Sequence, residues 1–287
     1  MINIAVMISG HSNYLDMSQQ LFKHWNTLYD NFKFDFFVST WEDDTDYSDW
    51  DWITKWERLK EEDCSYDLKN HEEGRHQPHY CYTFKKVNEL RNSYDEEYDA
   101  VLQTRSDIVI SRQNLDDMLS KITSVRGIGD ERINPQLSPR NIFSISGTRI
   151  HNVVTDGGEL HQDLWTQDYY FFGMPEVFDV FAGMFDYIFI DEKYGGAMLM
   201  HVFQAEYLHT MGIYNSSLSS AGALLIREPY RFASAETHTN AGWHKHHPSP
   251  YQLQKIIDER GLDWIFNKDN WKRILIFFET TKKIDYK

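Results

Sequence analysis

Apolar runs alternate with helical patterns through the first forty residues of the chain. Residues 2–9 are almost entirely apolar and end in Ser-Gly, which predicts a buried strand that leads into a loop. Apolar positions then recur at helical spacing over residues 14–29, and residues 34–40 form a second apolar run. A strand, a helix and a strand at this spacing make a βαβ unit, so the pattern predicts a sheet that begins parallel.

The same two patterns predict the rest of the elements. Residues 126–141 are rich in Gly, Pro, Asn and Arg and are interpreted as a long loop. No internal repeat or linker divides the chain, so one α/β domain is predicted, with a mixed, mostly parallel sheet flanked by helices. The predicted helices are residues 52–62, 80–94, 115–122, 175–187, 197–211, 251–260 and 270–278, and the further strands are two short ones within 100–110 and then 142–145, 169–172 and 223–226.

Composition is typical of a globular protein, with 41% hydrophobic and 25% charged residues among 287. No apolar stretch approaches the roughly 18 residues that a membrane span requires, and the N-terminus lacks the basic flank of a signal peptide. Cys64 and Cys81, the two cysteines, are too few for a disulfide framework. We therefore expect a cytoplasmic protein with free thiols and no membrane span.

The strongest candidate for chemistry is the segment YDAVLQTRSD at residues 98–107. A buried strand here delivers Arg105 and Asp107 at its carboxyl end, which is where open α/β sheets bind ligands. The carboxylate of Asp107 can hold a divalent cation, and the guanidinium of Arg105 can bind a phosphate oxygen. The alternative interpretation is an Arg–Asp ion pair that closes the strand end, and the sequence leaves both open.

Five segments together resemble bacterial glycosyltransferases of capsule and lipopolysaccharide synthesis, which have the GT-A fold. They are IAVMISG, DFFVSTW, YDAVLQTRSD, QDYYFFGMPEVFD and AEYLHTMGI, spread over residues 2–215. The resemblance implies a Rossmann-type, GT-A-like domain with a nucleotide-sugar-binding half, residues 1–125, and an acceptor-binding half, residues 126–287. It also implies transfer of a sugar from a nucleotide diphosphate sugar to a hydroxyl group.

The resemblance assigns roles to individual residues. Ser9, Gly10 and His11 would lie beside the nucleotide, and Asp107 would occupy the position of a metal-binding Asp-x-Asp motif, for Mn²⁺ or Mg²⁺. Arg105 stands where many members of the family have the first Asp, so its guanidinium would perform part of the cation's task. Asp168 would contact a sugar or act as the catalytic base, for which Asp156, Glu159 and Asp163 compete.

The resemblance also directs attention to THTNAGWHKHHPSP, residues 237–250, because some GT-A enzymes use a late histidine as a metal ligand. His238 and His244 are the candidates here. Lys245 would add positive charge beside the diphosphate if this segment folded over it. The spacing of the histidines matches no closed zinc motif, so a polar loop that is merely rich in histidine is the competing interpretation.

The net charge of −15 argues against a polyanionic partner, but its distribution is uneven. Residues 227–287 hold 11 Lys and Arg against 8 Asp and Glu, whereas residues 1–226 hold 18 against 36. The default acceptor is a cell-surface glycan, and the alternative is a hydroxymethylated base of DNA, as in bacteriophage glycosyltransferases active in the host cytoplasm. That alternative requires a flipped base.

Two further classes of function remain as alternatives. One is a metal-dependent hydrolase or nuclease built on Asp107, Asp168 and the histidines, and the other is an inactive module that binds sugar nucleotides. The sequence has no GxGxxG motif after a strand, no Walker motif and no GxSxG motif, which argues against a dehydrogenase, a kinase and a serine hydrolase.

Overall fold

A computed structural model describes residues 1–12, 14–42, 46–64, 77–125, 137–154, 160–190, 200–218, 223–226, 248–271 and 273. The strands are β1 (Ile2–Gly10), β2 (Phe32–Trp41), β3 (Ile53–Leu59), β4 (Ala100–Thr104), β5 (Ile108–Val109), β6 (Asn141–Ser144), β7 (Arg149–Val154), β8 (Leu160–Trp165), β9 (Tyr170–Gly173), β10 (Tyr214–Ser217) and β11 (Leu224–Leu225). The helices are α1 (Leu15–Leu28), α2 (Gln77–Asn92), α3 (Arg112–Val125), α4 (Pro175–Ala182), α5 (Met200–Thr210), α6 (Pro250–Arg260) and α7 (Leu262–Phe266).

Seven of these strands form one sheet in the order β10-β6-β9-β4-β1-β2-β3. All of its pairings are parallel except those of β9, which runs antiparallel to both β4 and β6. The predicted Rossmann-type α/β arrangement, a mixed and mostly parallel sheet flanked by helices, is therefore confirmed. Strands from both predicted halves share this sheet, as a single domain requires, whereas the assignment of a ligand to each half stays a prediction.

Helices cover both faces of the sheet, which explains why its central strands are apolar throughout. Along β1 the side chains alternate between the faces. Ile4, Val6 and Ile8 pack into the cluster that contains the buried face of α1, including Phe22 and Trp25. On the other face, Ala5 and Met7 pack into a second cluster whose further members include Phe84 and Val87 of α2 and Phe178 and Phe181 of α4.

One predicted element has the wrong type. Residues 52–62 were predicted as a helix, but Ile53–Leu59 forms β3, which pairs in parallel with β2. Trp52, Trp56 and Leu59 are spaced by four and three residues, which is the repeat of a helix, so the period alone predicts the wrong structure. The open edge of β2 favours a strand over a helix here, because pairing with β2 provides hydrogen-bond partners for the backbone N–H and C=O groups of both strands.

The other predicted elements within the described ranges are confirmed, with shifts at their ends. The helix predicted at 115–122 is the longer α3, and the one at 175–187 ends as α4 at Ala182, before a π-helical turn at Asp186–Ile190. The β7–β8 hairpin, β10 and α7 were not predicted. Most of the loop at 126–141 and of the helix at 270–278 lies outside the described residues.

Neither Cys64 nor Cys81 forms a disulfide, and burial raises the pKa of Cys81. Within the described part of the chain, every helix is too short or too polar to cross a bilayer.

Candidate functional site

The order of the strands fixes where a ligand can approach. From β1 the chain passes through α1 to β2 on one side, and from β3 it returns through α2 to β4 on the other side of β1. The loops that follow β1 and β4 both lead to helices on the same face of the sheet, because α1 and α3 pack into one cluster, and the two loops lie side by side at the carboxyl ends of these neighbouring strands, where open α/β sheets bind ligands. We call this region the carboxyl edge, defined by residues 9–11 and 105–107.

The loop after β1 supplies the first wall of the carboxyl edge. Ser9 is buried, and its hydroxyl oxygen accepts a hydrogen bond from the Gln103 side chain at 3.3 Å. Gly10 has a φ of 114°, a conformation that favours glycine, and a Cβ at this position would have no atom of the described residues within 4 Å. Within the described part of the chain, the backbone beside Gly10 is therefore open to the approach of another group.

The loop after β4 is tied to the β1 loop. The Ser106 hydroxyl donates to the carbonyl oxygen of His11 at 2.8 Å, and the Ser18 hydroxyl of α1 contacts the carbonyl oxygen of Ser106. These contacts fix the backbone at Ser106, directly after Arg105. They bring the three residues predicted beside the nucleotide, Ser9, Gly10 and His11, into one structural unit with Arg105 and Asp107.

Arg105 makes a forked contact with Asp107. Its Nε donates to one carboxylate oxygen at 2.9 Å, and its Nη2 donates to the other at 2.7 Å. The ion pair that the sequence left open as an alternative is therefore present. Charge-assisted, two-point contacts of this kind are strong and directional, so the guanidinium plane is held in one orientation.

Asp168 reaches the same edge because β9 is antiparallel to β4. Tyr170, the first residue of β9, pairs with Thr104, the last residue of β4, so the segment before β9 meets the segment after β4. Arg105 Nη1 lies 3.3 Å from a carboxylate oxygen of Asp168. The side chains of Arg105, Asp107 and Asp168, which we call the Arg-Asp cluster, are 21%, 8% and 16% exposed.

The Arg-Asp cluster carries two negative charges around one positive charge. Burial disfavours the charged guanidinium, but the carboxylates of Asp107 and Asp168 outweigh that cost and raise the pKa of Arg105 above its usual value. Burial also raises the pKa of Tyr80, a residue of α2, and the charge of Asp168 adds to the effect. The phenol of Tyr80 stays neutral and accepts a hydrogen bond from Gln204.

His201, at the start of α5, is a site residue that the sequence analysis missed. Its Nδ1 lies 2.9 Å from the carbonyl oxygen of Thr166 and 3.8 Å from a carboxylate oxygen of Asp168. No motif marks it, since the histidine follows an apolar stretch at the start of a predicted helix. The contact depends on the packing of α5 beside the segment between β8 and β9, which the sequence does not show.

The other predicted site residues lie outside the described residues or cannot be placed at the edge. His238, His244 and Lys245, predicted to bind a metal or the diphosphate, are outside the described residues, as are Asp156 and Glu159. The backbone of Asp163 belongs to β8, where it pairs with His151, and its side chain is not described. The roles assigned to them stay predictions.

The described residues do not fit the divalent cation that the family resemblance implies. Both carboxylate oxygens of Asp107 accept from Arg105, which places a positive charge where the cation would bind. Within the described ranges, no group of three or more His, Cys, Asp or Glu side chains is arranged to hold a metal ion. We therefore derive the chemistry of the site from the chain's own residues.

Comparisons with known proteins give no family assignment. No family model matches the chain, and no curated protein matches it either. Among solved structures it is similar to the galactosyltransferase LgtC, whose crystal structure is in complex with donor and acceptor sugar analogues. The alignment covers 75% of this chain and 73% of that one, with 10% identity and a TM-score of 0.40. A likeness this weak assigns no activity, so the function has to be argued from the chain's own residues.

Proposed function

We propose that this chain transfers a sugar from a nucleoside diphosphate sugar to a hydroxyl group of a glycan. The observation that carries the proposal is the Arg-Asp cluster at the carboxyl edge, beside the open backbone at Gly10. The resemblance of residues 2–215 to capsule and lipopolysaccharide glycosyltransferases supports the same conclusion. Catalysis of this kind depends on positioning and on the stabilisation of charge as the diphosphate leaves.

In this proposal Arg105 stabilises the diphosphate. Its forked contact with Asp107 fixes the guanidinium, while the longer 3.3 Å contact of Nη1 with Asp168 is the one that a phosphate oxygen would replace. A planar guanidinium that is fixed before the substrate binds needs little reorganisation when negative charge develops on the leaving group. The partly exposed side chain is accessible for such an exchange.

Direct displacement at the sugar also requires a base that accepts the proton of the attacking hydroxyl. The sequence analysis assigned this role to Asp168, and the structure places Asp168 beside Arg105. The carboxylate of Asp168 also lies 3.8 Å from Nδ1 of His201, a residue of α5.

The first test is a thermal-shift screen against nucleoside diphosphates and their sugars, with and without manganese. A ligand at about one hundred times its dissociation constant stabilises the native state by about 2.7 kcal/mol, which raises the melting temperature measurably. We expect one nucleoside diphosphate family to stabilise the chain and its sugar to release nucleoside diphosphate during turnover. Stabilisation without turnover would indicate an inactive binding module, and cleavage of phosphodiesters without a sugar donor would indicate a hydrolase.

The acceptor is tested with the same preparation. The positive balance of residues 227–287 favours DNA as the alternative acceptor, and binding to DNA weakens steeply with salt because counterions are released from the phosphates. For a neutral glycan acceptor we expect a transfer rate that hardly changes with sodium chloride. Transfer to hydroxymethylated DNA that falls steeply with salt would replace the glycan in the proposal.

A substitution at Gly10 tests the nucleotide position. Gly10→Ala forces a side chain into a positive-φ conformation, which costs about 1–3 kcal/mol, and it narrows the open space beside the backbone. We expect the affinity for the stabilising nucleoside diphosphate to fall about tenfold by isothermal titration, which corresponds to about 1.4 kcal/mol.

Gly212→Ala is the matched control, because Gly212 also has a positive φ with open space around it and follows α5 in an exposed turn. It should lower the melting temperature without affecting nucleotide affinity. Equal loss of affinity in both variants would show that Gly10 does not lie beside the nucleotide.

A further inference from the structure

We propose that His201 is the base that accepts the proton of the attacking hydroxyl, with Asp168 as the carboxylate that stabilises the resulting imidazolium. This inference rests on the proposed function and replaces Asp168 in the role that the sequence analysis gave it. Three features of the described residues lead to it: the fixed orientation of the imidazole, its exposure, and the position of the Asp168 carboxylate beside Nδ1.

The backbone fixes the orientation of the imidazole. The Thr166 N–H donates to the carbonyl oxygen of His201 at 3.1 Å, and the His201 Nδ1 lies 2.9 Å from the carbonyl oxygen of Thr166. A carbonyl oxygen only accepts, so in this contact Nδ1 carries the proton. In the neutral ring the lone pair is then on Nε2, which is the atom that can accept a proton from a substrate.

A tryptophan supports the ring from one face. The rings of Trp165 and His201 have centroids 4.3 Å apart and are tilted by 33°, so the imidazole is held by packing as well as by its hydrogen bond. The His201 side chain is 28% exposed, more than Arg105, Asp107 or Asp168. Of the four side chains, His201 is thus the one most accessible to a hydroxyl group from solvent.

Asp168 lies on the Nδ1 side of the imidazole. One of its oxygens is 3.8 Å from His201 Nδ1, and the other faces Arg105 Nη1 at 3.3 Å. A carboxylate on this side of the ring leaves Nε2 for the substrate and lies close enough to interact with an imidazolium once the proton has been transferred.

Asp168 links the imidazole to the rest of the Arg-Asp cluster. It lies 3.8 Å from His201 Nδ1 and contacts Arg105, which in turn is paired with Asp107. The imidazole therefore lies beside the residues that the proposed function places at the diphosphate.

The proposed step balances without a further reactant. The O–H bond of the acceptor breaks and its proton moves to the Nε2 lone pair, while the hydroxyl oxygen forms a bond to the anomeric carbon. The bond between that carbon and the diphosphate oxygen breaks, and its electron pair leaves on the nucleoside diphosphate beside Arg105. Water can replace the acceptor hydroxyl, so hydrolysis of the nucleotide sugar reports the same proton transfer.

The test compares nucleoside diphosphate release from UDP-glucose, UDP-galactose, UDP-N-acetylglucosamine and GDP-mannose, with water as the acceptor. In His201→Asn the amide can still donate to the Thr166 carbonyl oxygen but lacks a base at the position of Nε2. His201→Ala removes the ring and leaves space for imidazole added to the solution. His209→Asn is the matched control, since His209 is exposed in the last turn of the same helix.

We expect release by His201→Asn and by His201→Ala to fall about 100-fold or more, with nucleoside diphosphate affinity within twofold of the wild type. Imidazole should restore part of the activity of His201→Ala, in proportion to the unprotonated fraction of the added base. His209→Asn should behave like the wild type. A residue with a structural role only would not be rescued in this way.

Three results would overturn the inference. If the wild type and both His201 variants release nucleoside diphosphate at the same rate, the base lies elsewhere. A loss of this release in Asp168→Asn would then assign the role of the base to Asp168. If His201→Ala is inactive and imidazole restores nothing while His201→Asn retains activity, His201 only supports the fold. If the wild type binds no nucleoside diphosphate and releases none, the proposed function itself fails and the inference fails with it.

Discussion

Replacing Arg105 with methionine is expected to lower the free energy of unfolding by about 3–5 kcal/mol, because it leaves two largely buried carboxylates without their shared cation. Asp107 would lose both of its hydrogen bonds to the guanidinium, and Asp168 would lose its contact with Nη1. Methionine keeps an unbranched side chain of similar length, so lost packing contributes little. Urea denaturation of the variant and the wild type measures the change.

A double-mutant cycle separates the charge effect from other consequences of the substitution. If uncompensated negative charge causes the loss, Asp107→Asn should change the stability of the wild type little but restore part of the stability lost in Arg105→Met, so that the double variant is more stable than the sum of the single effects predicts. Arg140→Met is the control, since Arg140 is exposed just before β6. An Arg105→Met variant as stable as Arg140→Met would show that the cluster is well solvated and does not stabilise the fold.

Arg105→Lys tests the geometry of the contact. Lysine keeps the positive charge but cannot donate in a fork to both oxygens of Asp107 while it also reaches Asp168. We therefore expect a stability between those of the wild type and Arg105→Met, and a weaker affinity for the nucleoside diphosphate than in the wild type.

The sequence predicts the parts of the fold that depend on local patterns. The apolar runs that became β1, β2 and β4 are buried on both faces, and such strands are recognised by composition alone. The βαβ unit and the position of Arg105 and Asp107 at the end of β4 follow from them. Strand β3 was predicted as a helix because a polar edge strand has no continuous apolar run by which it could be recognised.

The assembly of the site depends on contacts that sequence patterns do not encode. Asp168 meets Arg105 only because β9 runs antiparallel between β4 and β6, and an isolated four-residue strand does not specify its direction. His201 joins the site through the contact of α5 with the segment after β8. In each case the partners are far apart in the chain, so the pairing is a property of the packed sheet.

The structure also shows how the two interpretations of Arg105 are related. The sequence offered a phosphate-binding arginine and an ion pair as alternatives. The structure shows the ion pair, and a fixed, partly exposed guanidinium is also what a phosphate-binding site requires. The two interpretations are therefore compatible, provided that Asp107 holds the guanidinium in place when the substrate arrives.

That condition leads to the second prediction. Asp107→Asn is expected to reduce nucleoside diphosphate release about 100-fold or more, which is the scale on which the loss of a fixed charge-stabilising contact acts. The asparagine carbonyl can accept from either Nε or Nη2 of Arg105, but its amide group then faces the other N–H as a donor. The guanidinium loses its two-point anchor and is no longer held in one orientation when negative charge develops on the leaving diphosphate.

The fold should survive this substitution, because asparagine has nearly the same shape as aspartate and Arg105 keeps Asp168 as a charged partner. Thermal melting of Asp107→Asn close to that of the wild type, together with lost turnover, is the expected combination. Asp116→Asn is the matched control, since Asp116 is an exposed residue of α3 whose carboxylate accepts from Tyr29 away from the cluster. If Asp107→Asn and Asp116→Asn both melt and turn over like the wild type, Asp107 does not orient Arg105 for the reaction, and the stabilisation of the diphosphate has to come from another part of the chain.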